Sequence, residues 1–441
     1  MVRLLLLAAA AHGAITPAAS ASPDGCGSGN PPPEASAALE DARVGDLRPA
    51  EGLLREGRPG TPMTDLLRAQ EAAARLDGRK VRLLTGRYLA SARTASLGKA
   101  PALELIAETR FALGDYAAAA RHARELLSCA PALGERQAGN FRQLAAIAEI
   151  LSGQPAQEMI GPVRPGSVPM TRDRVGLPRA ETFINGTSQM AVIDTGANLS
   201  VVSESAAGRL GLRRLQGRSR VSDSTMQGVD VELAIADEFE IAGARLKNVV
   251  FLVIADRKLD LPVPGGYRID AIVGFPVFHA LGRVRFGPGD QLAVELPVPG
   301  PAGVEPNLQA VGSDLYVYAT IGGVTAPFFL DTGANRSSLL PRYAAQRGGD
   351  AAGESQSGLR SGLGGSVETS TALLHDVDIE IGNARGRFDR IALHRGEATS
   401  DEPRWGILGI DLLGILGSFT IDLVAMTFEA GAGPSAAEGA R

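Results

Sequence analysis

Five residues occur twice, letter for letter: Asp194-Thr195-Gly196-Ala197-Asn198 returns as Asp331-Thr332-Gly333-Ala334-Asn335, 137 positions later. An apolar run enters each copy, Ala191-Val192-Ile193 in the first and Phe328-Phe329-Leu330 in the second. Eight residues ahead of each aspartate stands a glycine, Gly186 or Gly323, where a hairpin turn would start the entering strand. Gly228 and Gly365 each lie 34 residues past their aspartate and lead into alternating apolar positions, such as Val229, Val231 and Leu233. Ile272-Val273-Gly274 and Ile407-Leu408-Gly409 complete the series, their glycines 80 and 78 residues past the aspartates. Landmarks in one order at near-equal spacing mark a duplication, so this part of the chain folds as two related lobes.

The texture on either side of residue 162 separates two kinds of structure. Residues 37–155 are dense in Ala, Leu, Arg and Glu, with apolar residues recurring every three or four positions, as amphipathic helices require. Within them Leu113-Gly114-Asp115-Tyr116, then Ala119, Ala120, Ala123, Leu126, Leu127 and a closing Pro131, resembles one helix–turn–helix of a tetratricopeptide repeat. After Pro162 short Val/Ile/Phe alternations bounded by Gly, Asn and Pro take over, which reads as strands. The expected division is a signal peptide over 1–21, a linker over 22–36 and a helical domain over 37–155. Lobe 1 then spans 165–300, lobe 2 spans 301–430, and a flexible tail fills 431–441.

On these motifs the β-rich region resembles the lobes of pepsin-type and retroviral-type aspartic proteases, with the bacterial retropepsin-like enzymes as the nearest type because Ala follows each Asp-Thr-Gly. The resemblance implies a multidomain α + β chain: a helical, tetratricopeptide-like region, then two all-β lobes forming a pseudo-twofold, pepsin-type bilobal unit. It implies Asp194 and Asp331 as the catalytic pair, one general base and one general acid, activating a water for peptide hydrolysis without a covalent intermediate. Thr195 and Thr332 are then expected to brace the two loops, Gly196 and Gly333 to let the backbone turn tightly, and Gly274 and Gly409 to allow close backbone approach behind each loop. Gly228 and Gly365 become candidate flap turns, although Met226 and Leu363 stand near them where pepsin-type flaps carry Tyr. Ala197 and Ala334 replace a hydroxyl that would favour a charged carboxylate, so a mildly acidic to near-neutral optimum is expected. Asp411, two residues past Gly409 where lobe 1 has Pro276, reads as a helix-start or surface residue. Trp405 reads as a core or cleft-wall aromatic.

Composition narrows the partners. Lys+Arg number 44 against 49 Asp+Glu, a mild acidity that excludes a dedicated nucleic-acid binder. Two Cys and five His lack ligand spacing, so neither a metal nor another cofactor is expected, and Cys26 and Cys129 are expected unpaired. Arg3, the apolar run Leu4–Ala11 and Ala19-Ser20-Ala21 form an export signal, giving a periplasmic destination. No later stretch is long and apolar enough for a transmembrane helix. The expected partner is a peptide or protein substrate, with a protein partner for the helical region as a further expectation. Both aspartates lie in one chain, so a monomer suffices for the pair. The alternative reading keeps the fold and loses the chemistry: a peptide-binding clamp or scaffold.

Overall fold

The structure is a computed structural model and describes residues 2–4, 32–57, 61–91, 98–129, 133–222, 228–261, 266–297, 306–347, 355–362, 365–395 and 403–431. Among the described residues seven helices precede the β lobes: α1 (Pro33–Ala42), α2 (Arg48–Glu56), α3 (Pro62–Ala74), α4 (Gly78–Ala90), α5 (Ala100–Ala112), α6 (Tyr116–Cys129) and α7 (Glu135–Leu151). Their starts follow from the sequence. Pro33 and Pro62 occupy first helical turns, where a missing N–H costs nothing. Thr61 and Asp77 accept from the amides of Thr64 and Lys80, at 3.2 and 2.9 Å, and cap α3 and α4. The prolines read as linker at 31–33 therefore end in a helix start.

The expected helical pair is α5 and α6. Gly114 turns the chain between them at φ +76°, and Asp115 accepts from the amide of Ala118 at 3.3 Å. Ala119, Ala123 and Ala148 are fully buried, small enough for α6 and α7 to approach closely. Cys129 is disulfide-bonded, which corrects the expectation of an unpaired thiol: its place at the end of α6 suits a covalent tie. Cys26 lies outside the described residues.

Both lobes build the same core motif. In lobe 1 the strand Thr187–Ile193 enters after an Asn185-Gly186 turn with φ of +48° and +77°, the left-handed pair a two-residue hairpin demands. Gly322-Gly323 does the same for the strand Val324–Leu330 in lobe 2. Each entering strand lies parallel to the short strand ahead of the distal glycine, Val192 beside Ile272 and Phe329 beside Ile407. A third strand then runs antiparallel to that short one, Val201 opposite Ile272 and Ser338 opposite Ile407. In lobe 1 alternation sends Ile193, Val202 and Val273 into the main core and Val192, Val201 and Ile272 into a second apolar cluster.

The lobes also share a sheet. Arg283–Gly287 of lobe 1 pairs on one side with Gln291–Val294 and on the other with Phe419–Asp422, the penultimate strand of the chain. Phe286 stacks on Phe419 at 4.7 Å, and Phe419 on Phe428 at 5.2 Å. Arg283, 9% exposed, bonds Asp422 and Glu429 across this seam at 2.9 and 2.8 Å and Glu295 at 3.1 Å.

The helical module is bonded to both lobes. Arg342 of lobe 2 pairs with Asp41 at 2.6 Å, and the Tyr318 hydroxyl accepts from the Leu47 amide at 3.0 Å. On lobe 1, Ile147 and Leu151 of α7 are buried in one apolar cluster with Val192, Ala197, Val221 and Val229. Val192 and Ala197 flank Asp194 in sequence, while Val221 and Val229 stand opposite each other in the hairpin that leads to the first candidate flap turn.

Candidate active site

Both Asp-Thr-Gly loops meet where the lobes face each other. The Thr195 amide donates to Thr332 Oγ1 at 3.0 Å, and the Thr332 amide donates to Thr195 Oγ1 at 3.0 Å. Each hydroxyl then passes its own proton across the interface, Thr195 to the Leu330 carbonyl at 2.9 Å and Thr332 to the Ile193 carbonyl at 2.8 Å. Four buried bonds related by a twofold relation lock one loop to the other. Only a β-hydroxyl on a short side chain can accept and donate at that reach.

The glycines bring the carboxyl groups together. A Cβ on Gly196 would stand 2.6 Å from Asp331 Oδ1, and one on Gly333 would overlap the Asp194 carboxyl group. Each aspartate therefore lies against the opposite loop's backbone. Gly274 and Gly409 sit behind, where an added Cβ would come within 2.6 Å of the Ala197 and Ala334 carbonyls. Their amides donate to Ser200 Oγ at 3.1 Å and Ser337 Oγ at 2.9 Å.

Asp194 and Asp331 are both fully buried, and each influences the ionisation of the other. Asp194 Oδ1 accepts from the Gly196 amide at 2.8 Å. Asp194 Oδ2 and both Asp331 oxygens have no hydrogen-bonding partner among the described residues. Burial dominates the ionisation and raises Asp194 to about 7, against amide donors that pull it down. Asp331 is raised well above the ordinary carboxyl range by burial and by the neighbouring Asp194 charge, with Arg404 pulling the other way. Two such groups hold one proton between them near neutrality. The site can thus present an acid and a base at once.

Ala197 and Ala334 are buried beside the pair and offer it no hydroxyl. Gly228 and Gly365 each open the return strand of a hairpin, opposite Ser222 and Gly362. The turns themselves, with Met226 and Leu363, lie outside the described residues. Trp405 is 8% exposed, in the lobe core, with the Arg342 guanidinium 4.7 Å from its ring. Asp411 does precede a helix, Leu412–Leu416, but its carboxylate is turned inward, accepting from the Ser337 amide at 2.9 Å and its hydroxyl at 2.6 Å.

Ser200, Ser337 and Arg404 were missed in the sequence. The serines had a signal: each lies six residues past its aspartate. Among the described residues no cluster of His, Cys, Asp or Glu is placed to hold a metal ion, and no helix is long and apolar enough to cross a membrane. At one end of the interlobe space a cavity of about 220 Å³ is lined by Asn198 and Leu199 of the first loop, Gly312 and Asp314 of lobe 2, and Glu108 and Leu144 of the helical module.

Comparison with known proteins bears on this geometry. No curated protein sequence matches the chain. A solved structure, a retropepsin-like aspartic protease from Rickettsia conorii, matches at 19% identity and a TM-score of 0.21, covering 30% of this chain and 90% of that one. Residues 180–277 and 317–412 both match the family model described as Aspartyl protease. One matched stretch lies in each lobe, each carrying its Asp-Thr-Gly loop and distal glycine, so it is through its two β lobes that the chain is similar to the aspartyl protease family.

Proposed function

We propose that the protein is an exported aspartic endopeptidase that hydrolyses peptide bonds with a water activated between Asp194 and Asp331. The observation that carries this is the pair itself: two buried carboxyl groups from related loops, each pressed against the other loop's glycine and braced by reciprocal threonine bonds. The ionised member takes a proton from water as it attacks the scissile carbonyl. The protonated member hydrogen-bonds the carbonyl oxygen and then protonates the departing nitrogen. No covalent intermediate forms, and both partners of the proton exchange come from one chain. The hairpins opening at Gly228 and Gly365 close over an extended substrate and exclude water. The helical module forms a wall of the approach to the pair, a reading supported by α7 lying against the first hairpin and by the cavity it shares with Asn198 and Leu199. It is also the surface suited to a protein partner. Residues 1–21 direct export to the periplasm.

The test is cleavage of an unbiased peptide mixture by the full chain between pH 3 and 8, read by mass spectrometry, beside Asp194→Asn and Asp331→Asn. Cuts that vanish in both variants are expected, with a mildly acidic to near-neutral optimum. Cuts that persist in either variant sink the shared pair, and a folded chain that cuts nothing at any pH favours the clamp.

A further inference from the structure

The cavity beside the first Asp-Thr-Gly loop is walled by all three parts of the chain. Helix α5 sends Glu104 and Glu108 into it, one turn apart on one face, and lobe 2 adds Asp314. Arg43 is the one cation among its described lining residues, and it is engaged. Glu104 accepts from the Arg43 guanidinium at 2.5 Å and from the Gln137 side-chain amide at 2.7 Å. Glu108 makes no hydrogen bond or ion pair among the described residues. It is half-buried, and lobe 2 closes on it: a Cβ built on Gly312 would stand 3.7 Å from the Glu108 Cβ. Burial and the Glu104 charge raise its carboxyl to about 7, with Asp314 adding to the rise and Arg43 opposing it. Three carboxyl groups thus face one guanidinium, and the cavity favours a further positive charge.

The shape of the cavity says which kind of cation. No three of His, Cys, Asp and Glu among the described residues are placed to hold a metal ion. Apolar side chains stand beside the acids, Phe111 and Leu144 from the helical module and Leu199 and Val221 from lobe 1. A volume of about 220 Å³ is below the usual size of a site for a whole small molecule and suits a single side chain. A long basic side chain has the matching make-up, an aliphatic stem for apolar walls and a charged head for the acids. The position suits a peptide. Asn198 and Leu199 follow Asp194 by four and five residues, and Val221 belongs to the hairpin that leads to the first candidate flap turn. On the other wall the Tyr316 ring lies 5.6 Å from Phe329, two residues ahead of Asp331.

We infer that Glu108 is a specificity-determining residue: with Glu104 and Asp314 it receives the arginine or lysine side chain of a peptide lying between the lobes, so that the helical module takes part in choosing the substrate. This rests on the lobes gripping an extended peptide, as the proposed protease must. The duplication does not repeat the site, because its acids come largely from α5. Asn335, the counterpart of Asn198, instead donates to the Val175 carbonyl at 2.8 Å.

The experiment uses pools of capped hexapeptides with arginine fixed at one position in turn and no other basic residue. Matching pools carry citrulline, which keeps the shape of arginine and loses its charge. Binding at pH 8, where Glu108 is ionised, is read by fluorescence polarisation on full-length Asp331→Asn, with and without Glu108→Gln. Cleavage of the same pools by the full chain and by Glu108→Gln is read by mass spectrometry between pH 5 and 8. At one position arginine is expected to bind, and to be cut, about tenfold better than citrulline or more, and Glu108→Gln should bring both ratios close to one. Glu108→Ala removes the same charge and repeats the test if Gln misfolds. Equal ratios in the parent chains, or a preference that both Glu108 variants retain, overturn the inference even if the chain cuts peptides. A binding preference that is lost with Glu108, in a chain that cuts no pool, upholds the site and favours the clamp over the protease.

Discussion

Replacing Asp331 by Asn should make the protein more stable at neutral pH while removing the proposed activity. Burial lifts Asp194 from 3.8 to about 7, and Asp331 is lifted with it. At 1.36 kcal/mol per pH unit, a lift of that size corresponds to about 4 kcal/mol. An acid held above its unfolded value binds its proton more tightly in the folded state. Its penalty is therefore absent below about pH 4, grows as pH rises, and is complete above about pH 7. Asn at 331 removes one of the interacting acids. No hydrogen bond to the surrounding protein is lost, since neither Asp331 oxygen has a partner there among the described residues. The new amide can donate to Asp194 Oδ2, which also lacks one. Asp194 stays raised by its burial, but the cost of holding Asp331 above its unfolded value is gone, and the lobes should gain a few kcal/mol at pH 8. For lobes of this size that is roughly 5–10 °C in Tm. Differential scanning calorimetry of wild type and variant at pH 4, 6 and 8 reads it, with a gain near zero at pH 4 and largest at pH 8. A gain independent of pH, or a loss at pH 8, would refute the argument that the buried, raised ionisation of Asp331 costs the fold stability.

Thr332→Val should cost about 2–4 kcal/mol, because it strands the buried Thr195 amide and the Ile193 carbonyl together, while Thr332→Ser retains most of the stability; urea unfolding compares the two. In α7, Leu151→Ala should destabilise by about 2–4 kcal/mol, and Ile147→Asp should loosen the module from lobe 1, which hydrogen exchange would show as faster exchange along Arg213–Ser222 with little change in Phe419–Asp422.

What could be read along the chain was whatever repeats or turns locally. The two Asp-Thr-Gly loops, their entering strands and the Asn185-Gly186 and Gly322-Gly323 turns need only a few consecutive residues, so their letters carry them. The α5–α6 pair was legible for the same reason, through Gly114 and Asp115. Hidden features join distant residues. Gly274 meets Ser200 and Gly409 meets Ser337 across more than 70 positions, and only the register of the antiparallel strands brings them together. Asp411 looked like a helix-start or surface residue because its partner Ser337 lies 74 positions back. Arg404 was passed over because a duplication draws attention to what matches, and its counterpart Ile269 does not. The disulfide at Cys129 was unreadable because sequence spacing does not tell whether two thiols meet.

The seam between the lobes bears on how this chain is made. Arg283–Gly287 has one neighbour close in sequence, but its other neighbour, Phe419–Asp422, leaves the ribosome about 130 residues later. At ordinary elongation rates that is on the order of ten seconds. Through that interval lobe 1 has an unpaired edge, with Phe286 uncovered and Arg283 without Asp422 and Glu429. The aspartate pair is equally incomplete, since Asp331 and Thr332 also come late. The pair cannot assemble before residue 332 has been made, and the segment that closes the sheet is the one whose loss, by truncation or stalled synthesis, leaves the most adhesive intermediate.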